Sequence, residues 1–136
     1  MTAPWATHQA AWLPRPGLGH AVVRAGYWWD AIRVGLSTGR RALDVLRADS
    51  RCVPGPVIAD PRGPRPCVYV LVPPTTAGRW DAPASRALGR SSYVVVPPAS
   101  RVTPPGLHWM VPPDVDRPLT APGELRDALE AVAGAS

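Results

Sequence analysis

The chain has 136 residues, enough for one domain with a hydrophobic core and too few for two. Hydrophobic residues make up 46% of it and charged residues 18%, values typical of a globular protein, while 19 prolines predict many short elements. All 15 basic residues are arginine and the net charge is +5, which favours an acidic partner. The arginines stand singly except at Arg40-Arg41. No apolar run is long enough to span a membrane, so we expect no membrane partner.

The two cysteines give little support for a metal site or a disulfide. Cys52 and Cys67 form no C-x-x-C pattern and have no nearby histidine cluster, which argues against zinc. We expect two reduced, buried thiols. The N-terminus lacks a basic start followed by an apolar stretch and does not resemble a signal peptide, so we expect a cytoplasmic protein.

Residues 1–16 are predicted to form an N-terminal arm, and 17–136 a single domain. The arm has three prolines and no clean periodicity. Trp5 and Trp12 are costly to leave in water, so the arm should lie across the body of the domain or across a partner. In the second case these two tryptophans form an interaction surface, and the arm becomes ordered only on docking.

The first elements of the domain are two predicted strands. Residues 20–25 are rich in β-branched and small apolar side chains, and Gly26 permits a tight turn after them. Residues 27–34 predict the second strand. Within it Trp28 and Trp29 would point to opposite faces of the sheet.

A turn and a helix are predicted next. Gly-Leu-Ser-Thr-Gly at 35–39 predicts the turn, and a helix should run from it to about Asp49. Ser37 or Thr38 would cap the free amides at its start.

Three apolar runs end in a valine followed by two prolines. Proline donates no ladder hydrogen bond and restricts the preceding residue to extended geometry, so each pair predicts the end of a strand. The runs occupy 68–72, 93–96 and 107–111.

The remaining segments complete the predicted order of elements. Residues 55–59 predict a short strand, 61–66 a turn, and 75–88 a weak helix interrupted by Pro83. A final helix starts at Pro122, where proline suits the first turn, and carries an Arg126–Glu130 pair on its outer face. The resulting fold class is α+β, a mixed, mostly antiparallel sheet with two main helices on one face.

The 35–39 segment also matches G-x-S-x-G, the pattern of a nucleophile elbow. Ser37 with Asp60 or Asp81 and then His108 would give a serine hydrolase triad. Only 34 residues precede the motif, however, too few for the strands and oxyanion loop of that fold. A turn before a helix selects the same residue types, and we favour that structural interpretation.

The same helix start is a candidate anion site. Unpaired amides and the helix dipole favour a phosphate there, and Arg40 and Arg41 stand beside them. Other arginines could widen the basic surface. The predicted phosphate- or nucleic-acid-binding set is Ser37, Thr38, Gly39, Arg40, Arg41, Arg79, Arg86 and Arg90.

An ordered set of segments gives the chain a resemblance to a known family. They are Trp29-Asp30-Ala31-Ile32-Arg33-Val34, Gly55-Pro56-Val57, Val68-Tyr69-Val70-Leu71-Val72-Pro73-Pro74, Tyr93-Val94-Val95-Val96-Pro97-Pro98, Gly106-Leu107-His108-Trp109-Met110-Val111-Pro112-Pro113 and Leu119-Thr120-Ala121-Pro122. From Trp29 to about Leu129 the chain resembles diverged, reduced relatives of the prim-pol domain. That domain is the N-terminal catalytic module of bifunctional DNA primase/polymerases of GC-rich actinobacteria.

The departures from that family bear on activity. The resemblance implies a metal-binding pair of acids two residues apart, but here Ile32 follows Asp30 in the second place. The family's nucleotide-contacting histidine has no counterpart before the middle strand, where Arg65-Pro66-Cys67 stands. One carboxylate cannot hold two divalent ions, so we expect no metal, no cofactor and no enzymatic activity.

The interpretation is therefore a non-catalytic basic accessory module that binds nucleic acid or a nucleotide phosphate. The alternative is a protein-interaction adaptor that docks through its tryptophan-bearing arm and its Pro-Pro strand ends. A small serine hydrolase acting through Ser37 is the third hypothesis.

Overall fold

The computed structural model describes residues 12–14, 19–113 and 118–135 of the protein. In chain order these residues form strands β1 (Ala21–Arg24) and β2 (Asp30–Gly35), helix α1 (Leu36–Ala48), strands β3 (Val57–Asp60) and β4 (Cys67–Val72), a short 3-10 helix (Thr76–Arg79), strands β5 (Ser85–Leu88), β6 (Tyr93–Val96) and β7 (His108–Val111), and helix α2 (Pro122–Gly134). The expected α+β domain is confirmed.

The strands form two sheets. The larger sheet has the order β5-β2-β4-β3-β7, and β1 pairs with β6 in a separate two-stranded sheet. Every pair among the described strands is antiparallel, so the sheet is more regular than the mixed one expected. The three Val-Pro-Pro runs coincide with the ends of β4, β6 and β7, because proline cannot extend the ladder.

Both helices pack on one face of the five-stranded sheet, as predicted. Alternation along β2 and β4 presents Ile32, Val34 and Val68 to this face, and α1 covers them with Leu43 and other apolar residues of its inner stripe. The stripe of α2 packs beside α1 and closes the same core. Burial of these side chains, rather than helix propensity, supplies most of the stability of the two helices.

The other face of the sheet is covered by the β1–β6 sheet. Here the alternate residues of β2, β3 and β4 meet three tryptophans, and the members of this second core include Trp12, Trp29, Ala31, Ile58, Leu71, Val94, Val96 and Trp109. The architecture therefore has three layers: the two helices, the five-stranded sheet in the middle, and the two-stranded β1–β6 sheet. Within the described residues no helix has the length and apolarity that crossing a membrane requires.

The structure starts β2 later than the sequence pattern suggests. The Gly26 amide donates to the Trp29 carbonyl at 2.8 Å, which closes a tight turn through Tyr27 and Trp28. The prediction that Trp28 and Trp29 alternate within a strand is therefore wrong. Trp29 is fully buried for a different reason, since the turn points it into the second core.

The predicted weak helix at 75–88 is also wrong over most of its length. Only Thr76–Arg79 is helical, as a single 3-10 turn, and Ser85–Leu88 forms the edge strand β5. Ala84 has a positive φ of 56°, which reverses the chain just before β5. Pairing of β5 with β2 outweighs local propensity because it satisfies the backbone of both strands.

Candidate phosphate-binding surface

Helix α1 begins directly at the end of β2. Gly35 is its N-cap and provides no side-chain hydrogen bond, and the Leu36 amide donates to the Pro66 carbonyl at 3.0 Å. Ser37 and Thr38 thus lie inside the first turn, and the prediction that one of them caps the helix is wrong. The geometry of an α-helix leaves first-turn amides without intrahelical acceptors, so this turn offers N–H donors to a ligand.

The first turn of α1 borders an open surface depression of about 630 Å³. Its lining combines a loop proline with hydroxyl and guanidinium groups from the helix, and consists of Gly35, Leu36, Ser37, Thr38, Arg40, Arg41 and Pro66. Four of the predicted binding residues therefore share one surface. They combine hydrogen-bond donors with positive charge, as recognition of a phosphate requires.

Gly39 faces the opposite way from this depression. It is buried, and a Cβ at this position would overlap Cγ2 of Val68 in β4. The glycine is needed for the close approach of α1 to the sheet. Its contribution to the site is to hold the helix start against β4, not to line the depression.

The first turn of α1 contains no acidic residue. The ion pairs within the described part of the chain are Asp49–Arg51 and Arg126–Glu130, each at 3.2 Å. Arg40 and Arg41 are exposed and belong to neither pair. They are the fifth and sixth residues of α1 and follow its first turn, so their charge is available to an anion bound at the helix start.

Two further arginines lie at the same end of the sheet. The loop from Pro61 to Pro66 joins β3 to β4, and the Pro66 carbonyl accepts from α1. Arg62 and Arg65 in this loop are exposed. Sequence reasoning missed them, because only the pairing of β4 with β2 brings this loop next to the helix start.

Arg79 and Arg90 lie at the other end of the sheet. Gly35 pairs with Cys67 at the end that carries α1, whereas Asp30 pairs with Val72 at the far end, from which the chain leads to Arg79. Arg79 borders a separate cleft of about 370 Å³ whose lining also includes Trp80, Asp81, Pro122 and Arg126.

Arg90 belongs to a small cluster beyond the end of β5. Its carbonyl accepts from Arg24 Nε at 2.6 Å, and both guanidinium carbons lie 5.8 Å from the ring centroid of Tyr27. The structure therefore does not bring Arg79 and Arg90 to the depression. Arg86 stands in β5 opposite Arg33 of β2, on the face of the sheet that lacks the helices.

Asp30, the acid that the resemblance would place in a metal-binding pair, is buried at the start of β2. Its Oδ2 accepts from the Ala77 amide at 2.8 Å and so anchors the 3-10 helix. Ile32 lies in the helix-facing core. Within the residues described, no three acidic, histidine or cysteine side chains are grouped closely enough to hold a metal ion.

Ser37 and His108 are not neighbours in the fold. Strands β4 and β3 separate β2 from β7, so roughly 14 Å lies between the strand that leads to Ser37 and the strand of His108. His108 Nδ1 is 2.8 Å from the Gly106 carbonyl. Among the described non-glycine residues, a positive φ occurs at Thr75 and Ala84, and Ser37 lies in regular helix, so the strained turn of a nucleophile elbow is absent there.

Trp12 is part of the core and not of an interaction surface. Only 3% of it is exposed, and its ring packs edge-on against Trp29 with centroids 5.7 Å apart and lies 6.1 Å from Trp109. The arm at this point lies across the body of the domain, one of the two arrangements expected, so Trp12 is not available to dock on a partner. Trp5 lies outside the described residues.

One of the three Pro-Pro strand ends, Pro97-Pro98, is also partly internal. The carbonyls of Pro97 and Pro98 accept from the indole Nε1 of Trp109 at 3.0 and 3.1 Å, and Pro97 is buried. This exit therefore joins β6 to the second core instead of forming a docking surface.

Comparison with known proteins gives no relative for this chain. No model of a known protein family matches it, and no curated protein or solved structure is significantly similar to it.

Proposed function

We propose that this protein is a non-catalytic module that binds the phosphates of nucleic acid or of a nucleotide through the first turn of α1. The observation that carries the proposal is the open depression in which Ser37 and Thr38 stand beside Arg40 and Arg41. The two guanidinium groups have no carboxylate partner among the described residues. A phosphate there would receive helix amides, hydroxyl donors and positive charge together.

The surrounding charge supports a polyanion over a single small anion. Arg62 and Arg65 are exposed in the loop between β3 and β4, which ends at Pro66 in the lining of the depression. If two phosphates are neutralised, binding to duplex DNA should weaken roughly tenfold between about 50 and 200 mM salt. If four are neutralised, the same change in salt should weaken it about 150-fold, so the salt slope counts the contacts.

We further propose that the domain is a degenerate relative of the prim-pol domain. The ordered segments of the sequence and the α+β fold support this relationship, and the single buried Asp30 in place of an acid pair supports the loss of polymerase chemistry. Cys52 and Cys67 are both free, which suits the reducing cytoplasm that we propose as its location.

The test is fluorescence anisotropy with labelled single-stranded DNA, duplex DNA and RNA at about 50 and 200 mM salt. The Arg40→Ala/Arg41→Ala variant should bind about tenfold or more weakly at the lower salt and show a salt slope reduced by about 1.8 on duplex DNA. The matched control is Arg47→Ala/Arg79→Ala, which removes the same charge at the far end of α1 and of the sheet. Equal losses in the two variants, or no binding at about 50 mM salt, would refute the proposal.

A second candidate function, protein interaction, is favoured by the outer face of the β1–β6 sheet. Val22 and Val95 stand directly opposite each other and are 67% and 43% exposed, and Tyr93 beside them is 63% exposed. Adjacent exposed apolar side chains on a sheet that has only two strands among the described residues are typical of a docking surface. Binding through this face would persist at high salt and weaken in Val22→Ser/Val95→Ser, whereas phosphate binding would show the opposite pattern.

A further inference from the structure

Two arginines stand directly opposite each other in the five-stranded sheet. Arg33 of β2 pairs in register with Arg86 of β5, and antiparallel partners project from the same face. That face is the one opposite the helices, because the neighbouring pair, Ile32 and Ala87, packs into the helix-facing core. The Cβ atoms of such a pair are about 5 Å apart, so both guanidinium groups can reach one point in space.

Among the described residues, the surroundings of this pair provide hydrogen-bond partners but no opposite charge. Tyr69 lies opposite Arg33 on its other side, and Cys67 is the diagonal neighbour. Hydrogen bonds with Cys67 and Tyr69 raise the pKa of Arg33 above its ordinary value, so the group stays charged. Asp60, the carboxylate that the described part of β3 places on this face, is two strands from β2 and forms no ion pair there.

The arginine pair lies at the boundary of the cover provided by the β1–β6 sheet. Ala31 and Leu71, one residue pair further along on the same face, are fully buried in the second core. Arg33 is only partly buried, and Arg86 is exposed on an edge strand. A small ligand can therefore approach the two guanidinium groups from solvent.

Like charges placed directly opposite each other across two strands destabilise a sheet. Solvent exposure weakens the repulsion, but nothing in the described structure turns it into attraction. A dianion between the two forks would do so, since each guanidinium can bind phosphate oxygens bidentately. A phosphomonoester carries about −1.5 to −2 charges at neutral pH and matches the pair, whereas a phosphodiester carries only one.

We propose that Arg33 and Arg86 form a second anion site that binds a phosphomonoester group, with the Tyr69 hydroxyl beside it. The site lies on the opposite face of the sheet from the depression at α1 and does not depend on the function proposed for that depression. Its ligand would be a terminal phosphate, either on a small molecule such as a nucleoside monophosphate or at the end of a nucleic-acid strand.

The first experiment measures thermal unfolding of the full chain in methyl phosphate and in dimethyl phosphate at constant ionic strength. In the Arg40→Ala/Arg41→Ala background, which lacks the positive charge of the depression at α1, the monoester should raise Tm in a saturable manner and the diester should not. Arg86→Gln should weaken monoester binding about tenfold or more and should not lower Tm without ligand, because it removes the repulsion. The control, Arg47→Gln, makes the same charge change on α1 and should respond as wild type.

The proposal would be overturned by an equal response to the monoester in wild type and Arg86→Gln, by equal responses to the two esters, or by no response to either. The variant Arg40→Ala/Arg41→Ala should keep the monoester response, so loss of the site at α1 and loss of this site are separable.

A second experiment identifies the source of the phosphate. Oligonucleotides with a 5′-phosphate and with a 5′-hydroxyl are compared by competition against methyl phosphate. Tighter, Arg86-dependent binding of the phosphorylated strand supports a nucleic-acid end as the ligand. Equal binding of the two strands, with the methyl phosphate response intact, supports a small phosphomonoester at the same site.

Discussion

The substitution Gly39→Ala tests whether this glycine serves packing or ligand binding. An added Cβ would overlap Cγ2 of Val68, which is 1% exposed in β4, and β4 is held on both sides by β2 and β3. Neither α1 nor the sheet can retreat without loosening the core between them. Gly123, near the start of α2, provides the matched control, because a Cβ there would meet no atom within 4 Å.

The free energy of unfolding is expected to fall in Gly39→Ala and to rise or stay unchanged in Gly123→Ala. Replacing glycine by alanine in a helix gains up to about 1 kcal/mol in propensity. At Gly39 overpacking costs about 1–3 kcal/mol, so the free energy of unfolding should fall by up to about 2 kcal/mol overall. For a chain of this size that corresponds to a Tm lower by up to roughly 7 °C. Gly123→Ala should leave Tm unchanged or raise it by up to about 4 °C.

Urea denaturation of both variants, monitored by circular dichroism, measures these changes. A third variant, Val68→Ala, tests whether the overlap with Val68 causes the loss of stability. The fall in the free energy of unfolding that Val68→Ala produces should be about 1–2 kcal/mol smaller in Gly39→Ala than in the wild type, because the new methyl occupies the vacated space. Nucleic-acid affinity of Gly39→Ala at a temperature well below Tm should match wild type. If Gly39→Ala is as stable as Gly123→Ala, or if the two costs simply add, the packing explanation is refuted.

Three further predictions concern the core and a thiol. The buried Gly55 amide donates to the Thr120 hydroxyl at 2.7 Å, and Thr120→Val removes this acceptor. The free energy of unfolding measured in urea should fall by about 1–3 kcal/mol, and by much less in Thr120→Ser, which keeps the hydroxyl. An unchanged urea midpoint in Thr120→Val would contradict this prediction. Trp12→Ala should cost about 3–5 kcal/mol and reduce the near-ultraviolet circular dichroism, whereas an arm that merely docks would leave both unchanged. Burial raises the pKa of Cys52 above its ordinary 9.0, so iodoacetamide should alkylate this thiol more slowly in the folded protein than in urea at pH 8. Because the unfolded chain loses this proton first, the stability that the protonated Cys52 contributes should be lost as pH rises through and above 9. Equal alkylation rates in the folded protein and in urea would contradict the expectation of slower alkylation.

The sequence patterns that succeeded are local. Residues 93–96 are an apolar run of β-branched and aromatic side chains that stops at two prolines, and they form β6. Helix α2 starts at Pro122, and Arg126 pairs with Glu130 as the i,i+4 spacing predicts. In each case the determining interactions lie within a few residues along the chain, so composition and spacing are sufficient.

The patterns that failed depended on distant partners. Residues 75–88 look weakly helical in isolation, yet Ser85–Leu88 becomes a strand because it pairs with the edge of β2. Ser37 or Thr38 was expected to cap α1, yet the helix begins at Leu36, whose amide donates to the carbonyl of Pro66 just before β4. Trp12 could equally have faced a partner until Trp29 and Trp109 were placed beside it.

By itself, the sequence determined the α+β class, the stiff strand ends, the two amphipathic helices and the positive charge. These follow from proline geometry, hydrophobic periodicity and composition, which each residue carries with it. Only the tertiary structure decided which arginines meet. Strand register placed Arg33 against Arg86, and the β3–β4 loop brought Arg62 and Arg65 to the start of α1, while Arg79 was carried to the far end of the sheet. Register arises from burial of both faces of the sheet at once, and no short segment contains that information.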